Sequence, residues 1–176
     1  METKLDILRR YFGYTSFRRG QEEIVDALLT GRDALCVMPT GAGKSVCYQV
    51  PALLLPGITL VISPLISLMK DQVESLTQAG VHAAYLNSSL TPAQYSRALH
   101  NLSEGLYKLV YVAPERLSTE NVRTAVENLN ISLIAVDEAH CVSQWGQDFR
   151  QSYLGIAEFL NKLQKRPIVS AFTATA

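Results

Sequence analysis

The stretch Ala34-Leu35-Cys36-Val37-Met38-Pro39-Thr40-Gly41-Ala42-Gly43-Lys44-Ser45 decides the fold of this chain. Its first five residues are a short apolar run suited to a fully buried strand. The rest is a glycine-bearing turn, and a helix-forming stretch follows it. A turn that wraps backbone N–H groups around a phosphate needs residues without Cβ bulk, here Gly41 and Gly43. The helix that follows aims its positive end at the same anion. In that arrangement Lys44 reaches the β- and γ-phosphates, the Ser45 hydroxyl coordinates Mg²⁺, and Thr40 and Ala42 complete the cradle. The general spacing G-x-x-x-x-G-K-[S/T] wants glycine where this chain has Met38, so the strand–loop–helix context carries the reading.

Outward from the loop the same alternation repeats. Apolar runs at Ala34–Met38, Ile58–Ile62, Val81–Leu86, Leu109–Val112, Leu133–Val136 and Ile168–Phe172 predict buried strands. Helical spacing joins Leu5, Leu8 and Phe12 behind a Thr3/Asp6 capping box, and predicts further helices over Gln21–Thr30, Leu65–Ala79, Glu120–Leu129 and Tyr153–Leu163. Thr91-Pro92-Ala93-Gln94 opens another, with an N-cap, proline at the first helical position and glutamine at the third. Strands alternating with helices predict an α/β fold, a mostly parallel sheet with helices on both faces. The whole of 1–176 reads as a single domain.

A phosphate loop calls for an acidic partner at the end of a neighbouring strand. The apolar run Ile131–Val136 ends in Asp137-Glu138-Ala139-His140. That is the carboxyl edge of the sheet, where ligands bind in open α/β folds. Asp137 is placed to hold Mg²⁺ through its water shell, and Glu138 to orient and deprotonate an attacking water.

The composition narrows the classes. With 176 residues, 48% hydrophobic and 18% charged, the chain has a globular composition. Sixteen Lys and Arg offset sixteen Asp and Glu, which excludes a polybasic protein whose whole surface binds phosphate. Any nucleic-acid contact must come from a local groove. The three cysteines, Cys36, Cys47 and Cys141, include no C-x-x-C pair, so neither a disulfide framework nor a zinc site is indicated and a reducing compartment is expected. The charged N-terminus has no apolar core and does not read as a signal peptide. Ser45–Met69 carries no charge, but Pro51, Pro56, Gly57 and Pro64 divide it into short pieces, so it reads as helix, turn, strand, turn and not as a membrane span.

Several further motifs carry a family resemblance. Lys44-Ser45, the D-E-A-H tetrapeptide, Ser63-Pro64-Leu65-Ile66-Ser67-Leu68-Met69-Lys70-Asp71-Gln72, Ala113-Pro114-Glu115-Arg116-Leu117 and Thr173-Ala174-Thr175 together resemble a superfamily 2 helicase. Cys141-Val142-Ser143-Gln144-Trp145-Gly146 and Asp148-Phe149-Arg150 are similar to the aromatic-rich loop of RecQ-family DNA helicases. The resemblance covers essentially the whole chain. It implies a RecA-like P-loop NTPase domain, the first motor half of an ATP-dependent 3′–5′ DNA helicase working in repair and recombination. It also implies ATP and Mg²⁺ as cofactors, and single-stranded DNA as partner, with duplex junctions for the full-length protein. The second RecA-like domain, which supplies an arginine finger, is expected outside this stretch. No membrane is implied, and the location is cytoplasmic, nucleoid-associated in a bacterium or nuclear in a eukaryote.

Residue roles follow from the resemblance. Phe17-Arg18-Arg19-Gly20-Gln21 matches the adenine-recognition motif, with Arg19 where the family has proline. Gln21 is the adenine reader, since an amide can pair with adenine N6 and N7, while Tyr14 stacks on the base beside Arg18. Ser143, Trp145, Phe149 and Arg150 match the loop that stacks single-stranded bases and relays their presence to Glu138. Gln147 and Gln151 stand where the family has histidine and proline, and Gln147 cannot become a cation. Ser63, Lys70, Asn87 and Arg116 lie in segments that grip phosphates without reading sequence. Thr173 and Thr175 connect His140 to the DNA side. The phosphate and acidic motifs by themselves equally suit an RNA helicase of the same superfamily or a non-catalytic ATP-binding module.

Overall fold

Successive side chains of a strand point to opposite faces, so a continuous apolar run gives each central strand two buried faces, and these set the layers. In the computed structural model, which describes residues 1–39, 43–139 and 147–174 (147–150, 152 and 153 as backbone only), the runs form a six-stranded sheet. The strands are β1 (Ala34–Val37), β2 (Ile58–Ile62), β3 (Ala83–Leu86), β4 (Leu109–Val112), β5 (Ile131–Val136) and β6 (Ile168–Thr173). Their order is β1-β6-β5-β2-β4-β3 and every pair is parallel.

The helices are α1 (Lys4–Phe12), α2 (Gln21–Leu29), α3 (Lys44–Leu54), α4 (Ile66–Gln78), α5 (Pro92–Ser103), α6 (Pro114–Leu117), α7 (Glu120–Val126) and α8 (Gln147–Lys162). On one face Leu60, Ile62, Val110, Val112, Ile134 and Val136 meet α5, α7 and α8 through Leu102, Val122 and Phe159. On the other, Val61, Leu109, Tyr111, Leu133 and Ala135 meet α3 and α4 through Cys47, Tyr48, Met69 and Leu76. A third layer covers α3 from outside, where Ile7, Leu8 and Val25 of α1 and α2 pack on Val46 and Val50. So α3 is buried on both sides, which explains its nearly continuous apolar sequence. No described helix is long and apolar enough to cross a membrane.

Both expected capping boxes form, Thr3 with Asp6 and Thr91 with Gln94. Other boundaries differ from expectation. Pro51 does not break the chain: α3 runs through it to Leu54, losing one hydrogen bond while packing on both flanks holds the helix. The strand expected from Val81 begins at Ala83, because the Val81 N–H is taken by the Leu76 carbonyl at 2.9 Å beyond the end of α4. The helix expected to Leu129 stops at Val126, where Leu129 N–H donates to the Val126 carbonyl in a turn. α8 runs from Gln147, ahead of the expected Tyr153, since among its first six residues only Phe149 is apolar and one residue gives no periodicity to read.

One turn shows how tightly the strand starts are fixed. Lys108 Nζ donates to the carbonyls of Leu55 at 2.6 Å and Gly57 at 2.8 Å, and Ile58 N–H donates to Asn130 O at 2.9 Å. Gly57 has φ +73°, and a Cβ added there would lie 2.1 Å from Asn130 O. Gly57→Ala is therefore expected to destabilise the chain by about 2 kcal/mol or more, combining backbone strain with a clash against main chain. A denaturant midpoint corresponding to less than about 0.5 kcal/mol of change would contradict this account.

Candidate active site

Parallel strands all present their carboxyl ends to one rim, so the residue after each strand lands there by topology alone. Backbone hydrogen bonds continue one step past the strands and fix the row. Asp137 N–H donates to Ile62 O at 2.8 Å, Ser63 N–H to Val112 O at 3.2 Å, and Ala113 N–H to Leu86 O at 3.1 Å. On the far side Ala139 N–H donates to Phe172 O at 2.9 Å and Met38 N–H to Thr173 O at 3.0 Å. Ser63, Asp137, Met38, Thr173 and the turns from Asn87 and Ala113 thus share one edge.

The phosphate helix begins on that edge. Gly43, the N-cap of α3, has φ +77°, and a Cβ there would meet Gln21 Nε2 at 2.5 Å. Glycine is required twice over at this position, by backbone and by neighbour. The first turn of α3 has no acidic residue, and among the described residues no side chain caps it. Its N–H groups therefore face the rim as donors for an anion.

Lys44 and Glu138 lie 94 residues apart in sequence and meet here, with Nζ 3.5 Å from Oε1. Both side chains are mostly covered, at 13% and 20% exposure, so the pair is shielded from bulk water. Glu138 has φ +53° in the left-handed region, unusual for a residue other than glycine. Its backbone is held there by its own N–H, which donates to Asp137 Oδ1 at 2.9 Å. Such conformations cost about 1–3 kcal/mol and persist where the surroundings enforce them.

Lys44 and both carboxylates line a cavity of about 640 Å³ together with Gly43, Ser45, Gln21, Arg18 and Tyr14. Every residue expected around a nucleotide that falls among the described residues thus lines this one cavity. Tyr14 is 48% exposed, and the Arg18 guanidinium carbon stands 6.0 Å from its ring centre. Gln21 differs from expectation in one respect. It is only 4% exposed; its Oε1 accepts from Arg18 N–H at 2.7 Å and its Nε2 donates to Gly43 O at 3.0 Å. Its amide ties the Arg18 segment to the phosphate loop as well as facing the cavity.

The expected strand-gripping residues fall into two groups. Lys70 is exposed, 3.9 Å from Glu74, and Arg116 lies with its guanidinium 5.0 Å over the Tyr95 ring. Ser63 and Asn87 are buried, at 5% and 1% exposure. Ser63 Oγ accepts from Leu65 N–H at 3.3 Å, and Asn87 donates to Met69 Sδ while its Oδ1 accepts from Ser89. Both side chains are engaged within their own turns. The exposed groups at the second turn are Ser88 and Ser89. Thr173 is also buried, at 5%. Thr40, Gly41, Ala42, His140, Ser143, Trp145 and Thr175 lie outside the described residues, as do the side chains of Phe149 and Arg150.

Sequence reasoning missed Gln72, which lines the same cavity and accepts from Gln49 Nε2 at 2.9 Å. The available signal was a glutamine inside the otherwise buried stretch Val46–Ala52, which needs a partner. For a metal, Ser45 and Asp137 offer hard oxygen donors on one wall, while no cluster of three or more His, Cys, Asp or Glu occurs among the described residues. That donor set suits Mg²⁺, which keeps several waters and takes one or two protein oxygens beside phosphate.

The sequence matches the DEAD/DEAH box helicase family over residues 18–176. It is 49% identical over 171 residues to the ATP-dependent DNA helicase RecQ of Bacillus subtilis, covering 97% of this chain and 29% of that one. To the protein of the same name from Haemophilus influenzae it is 51% identical over 174 residues, covering 99% and 28%. The chain thus spans less than a third of the length of these relatives. Among solved structures, a hypothetical ATP-dependent RNA helicase from Sulfolobus tokodaii superposes with a TM-score of 0.77 at 21% identity, covering 99% of this chain and 51% of that one. This last likeness concerns the fold alone.

Proposed function

Because the chain belongs to the DEAD/DEAH box helicase family, we propose that it is the first, nucleotide-loading motor half of an ATP-dependent DNA helicase of the RecQ type, moving 3′ to 5′ on single-stranded DNA. The observation that carries this reading is the meeting of Lys44 with Glu138, beside Asp137, on a cavity that also holds Gln21 and Tyr14. One wall can take a triphosphate, the other a base.

In this reading Lys44 and the first-turn amides of α3 bind the β- and γ-phosphates, and Tyr14 and Arg18 flank the adenine. Ser45 and Asp137 hold Mg²⁺, which when bound neutralises phosphate charge. Glu138 orients and deprotonates the attacking water, and the proton rests on its carboxylate. The γ-phosphate and Glu138 compete for the Lys44 ammonium, which stands 3.5 Å from the carboxylate. Lys70, Arg116 and the turn from Asn87 hold the phosphates of a single strand along the rim, joined by the loop carrying Ser143, Trp145, Phe149 and Arg150. His140, Thr173 and Thr175 link that strand to the hydrolysis site.

A second motor domain, facing the cavity and contributing an arginine finger, belongs to the same reading. In related phosphoryl-transfer enzymes such a finger is worth about 10³–10⁵ in rate. The relatives' greater length is in keeping with it. We place the working protein in the cytoplasm with its DNA.

The test is ATP turnover of the full-length protein with oligodeoxynucleotide or oligoribonucleotide added. Stimulation by single-stranded DNA well above that by RNA is expected. Equal or greater stimulation by RNA would move the protein to RNA helicases, and no stimulation by either would leave an ATP-binding module.

A further inference from the structure

The core beneath the cavity contains a polar group that the mechanism above does not use. Tyr48 and Gln49 on α3 and Tyr111 on β4 are 1%, 4% and 2% exposed. The two phenol oxygens lie 3.2 Å apart. Gln49 Nε2 donates to Tyr111 Oη at 2.9 Å and to Gln72 Oε1 at 2.9 Å. Tyr48 also sets its ring edgewise on Tyr111 and Phe172, with centroids 6.4 and 5.4 Å away. Burial pushes both phenols up, Tyr111 to about 12, and the charge of Asp137 adds to the effect on each. The hydroxyls therefore keep their protons and serve as hydrogen-bond groups behind the acidic site.

Packing alone does not call for this arrangement. Apolar residues of similar volume fill a core as well, and a polar group left without its partner costs about 1–3 kcal/mol. The position of the network is more telling. α3 starts at Lys44, β4 runs straight into Ala113–Arg116, and α4 carries Lys70 on its outer side and Gln72 on the cavity wall. Three elements that each carry or lead into a different functional segment are joined by directional bonds. A shift of α3 against α4 or β4 weakens these bonds steeply, since they depend on both distance and angle.

We propose that Gln49 and Tyr111 are positioning residues that link the phosphate helix to the two strand-gripping segments, with Gln72 as the end of the network at the nucleotide. This deepens the helicase reading and rests on it. The network gives strand occupancy a route to the nucleotide site, through which DNA can change the rate of turnover.

The experiment uses the full-length protein with Tyr111→Phe, which keeps the ring between its neighbours and deletes only the hydroxyl. Turnover is measured over a range of ATP concentrations, with and without a saturating oligothymidylate. Without DNA, kcat and KM for ATP are expected to stay within about twofold of the unaltered protein, while the factor of stimulation by DNA falls about fivefold or more. Gln72→Leu, at a half-buried position, carries the same expectation for the stimulation factor and serves if Tyr111→Phe does not fold. A stimulation factor unchanged in a folded variant, or one unchanged because basal and stimulated rates fall equally, would overturn the proposal. Absence of stimulation in the unaltered protein would instead remove the helicase reading, and this inference with it.

Discussion

Replacing Glu138 by glutamine in the full-length protein is expected to stop ATP turnover while leaving ATP bound. The amide keeps the size and hydrogen-bonding reach of the carboxylate but cannot take a proton from water, and general-base catalysis typically supplies about 10²–10⁴ in rate. A fall in kcat of at least about a hundredfold follows. Binding should move the other way. Lys44 Nζ lies 3.5 Å from Glu138 Oε1, so this carboxylate competes with a triphosphate for the ammonium. Without the competing charge, affinity for ATP stays level or tightens. Steady-state turnover and calorimetry on the same preparation read both signs together. Turnover kept within about threefold would remove Glu138 from its assigned role, whatever the binding showed.

The complementary change, Lys44→Ala, should abolish nucleotide binding or nearly so. Lys44 is 13% exposed and stands at the first residue of α3, so its ammonium is poorly replaced by water when a triphosphate enters. Truncating one partner of a mostly buried charge pair typically costs about 2–5 kcal/mol, or roughly thirtyfold to several thousandfold in affinity. Titration of the variant with a non-hydrolysable ATP analogue and Mg²⁺ measures it directly. An unchanged dissociation constant would mean that the phosphates lie elsewhere. Because Lys44 is also paired with Glu138, a thermal melt of the variant checks that lost binding is not lost folding.

The architecture was legible because its signals are local and repeated. The runs around Leu60, Val110 and Ile134 are short, apolar and bounded by turns, and each became a strand of one parallel sheet. Lys44, Asp137 and Glu138 were legible for a related reason: topology puts the ends of parallel strands on one rim, so a loop after β1 and carboxylates after β5 had to approach each other. What escaped the sequence depends on tertiary context. Asn87 and Ser63 look like any exposed polar turn residues, and only the packing of α4 on the sheet reveals that Met69 and Leu65 take up their hydrogen-bonding groups. Gln49 and Tyr111 stand in apolar segments where their polar ends announce a need for partners without naming them. The left-handed backbone of Glu138 has no signature at all in residue type. Pro51 misled because a proline usually ends a helix, and the two layers that hold α3 on either side come from residues far away in the chain.

That double burial of α3 also limits how the protein can diverge. A bulkier residue at Val50 would push on Ile7 and Leu8, and one at Ala52 would push on the sheet, with no solvent side to absorb the volume. Tolerated replacements along this helix should therefore arrive as compensated pairs, one member on α3 and the other on α1, α2 or the strands opposite, and drift by single steps should be confined to the outer helices.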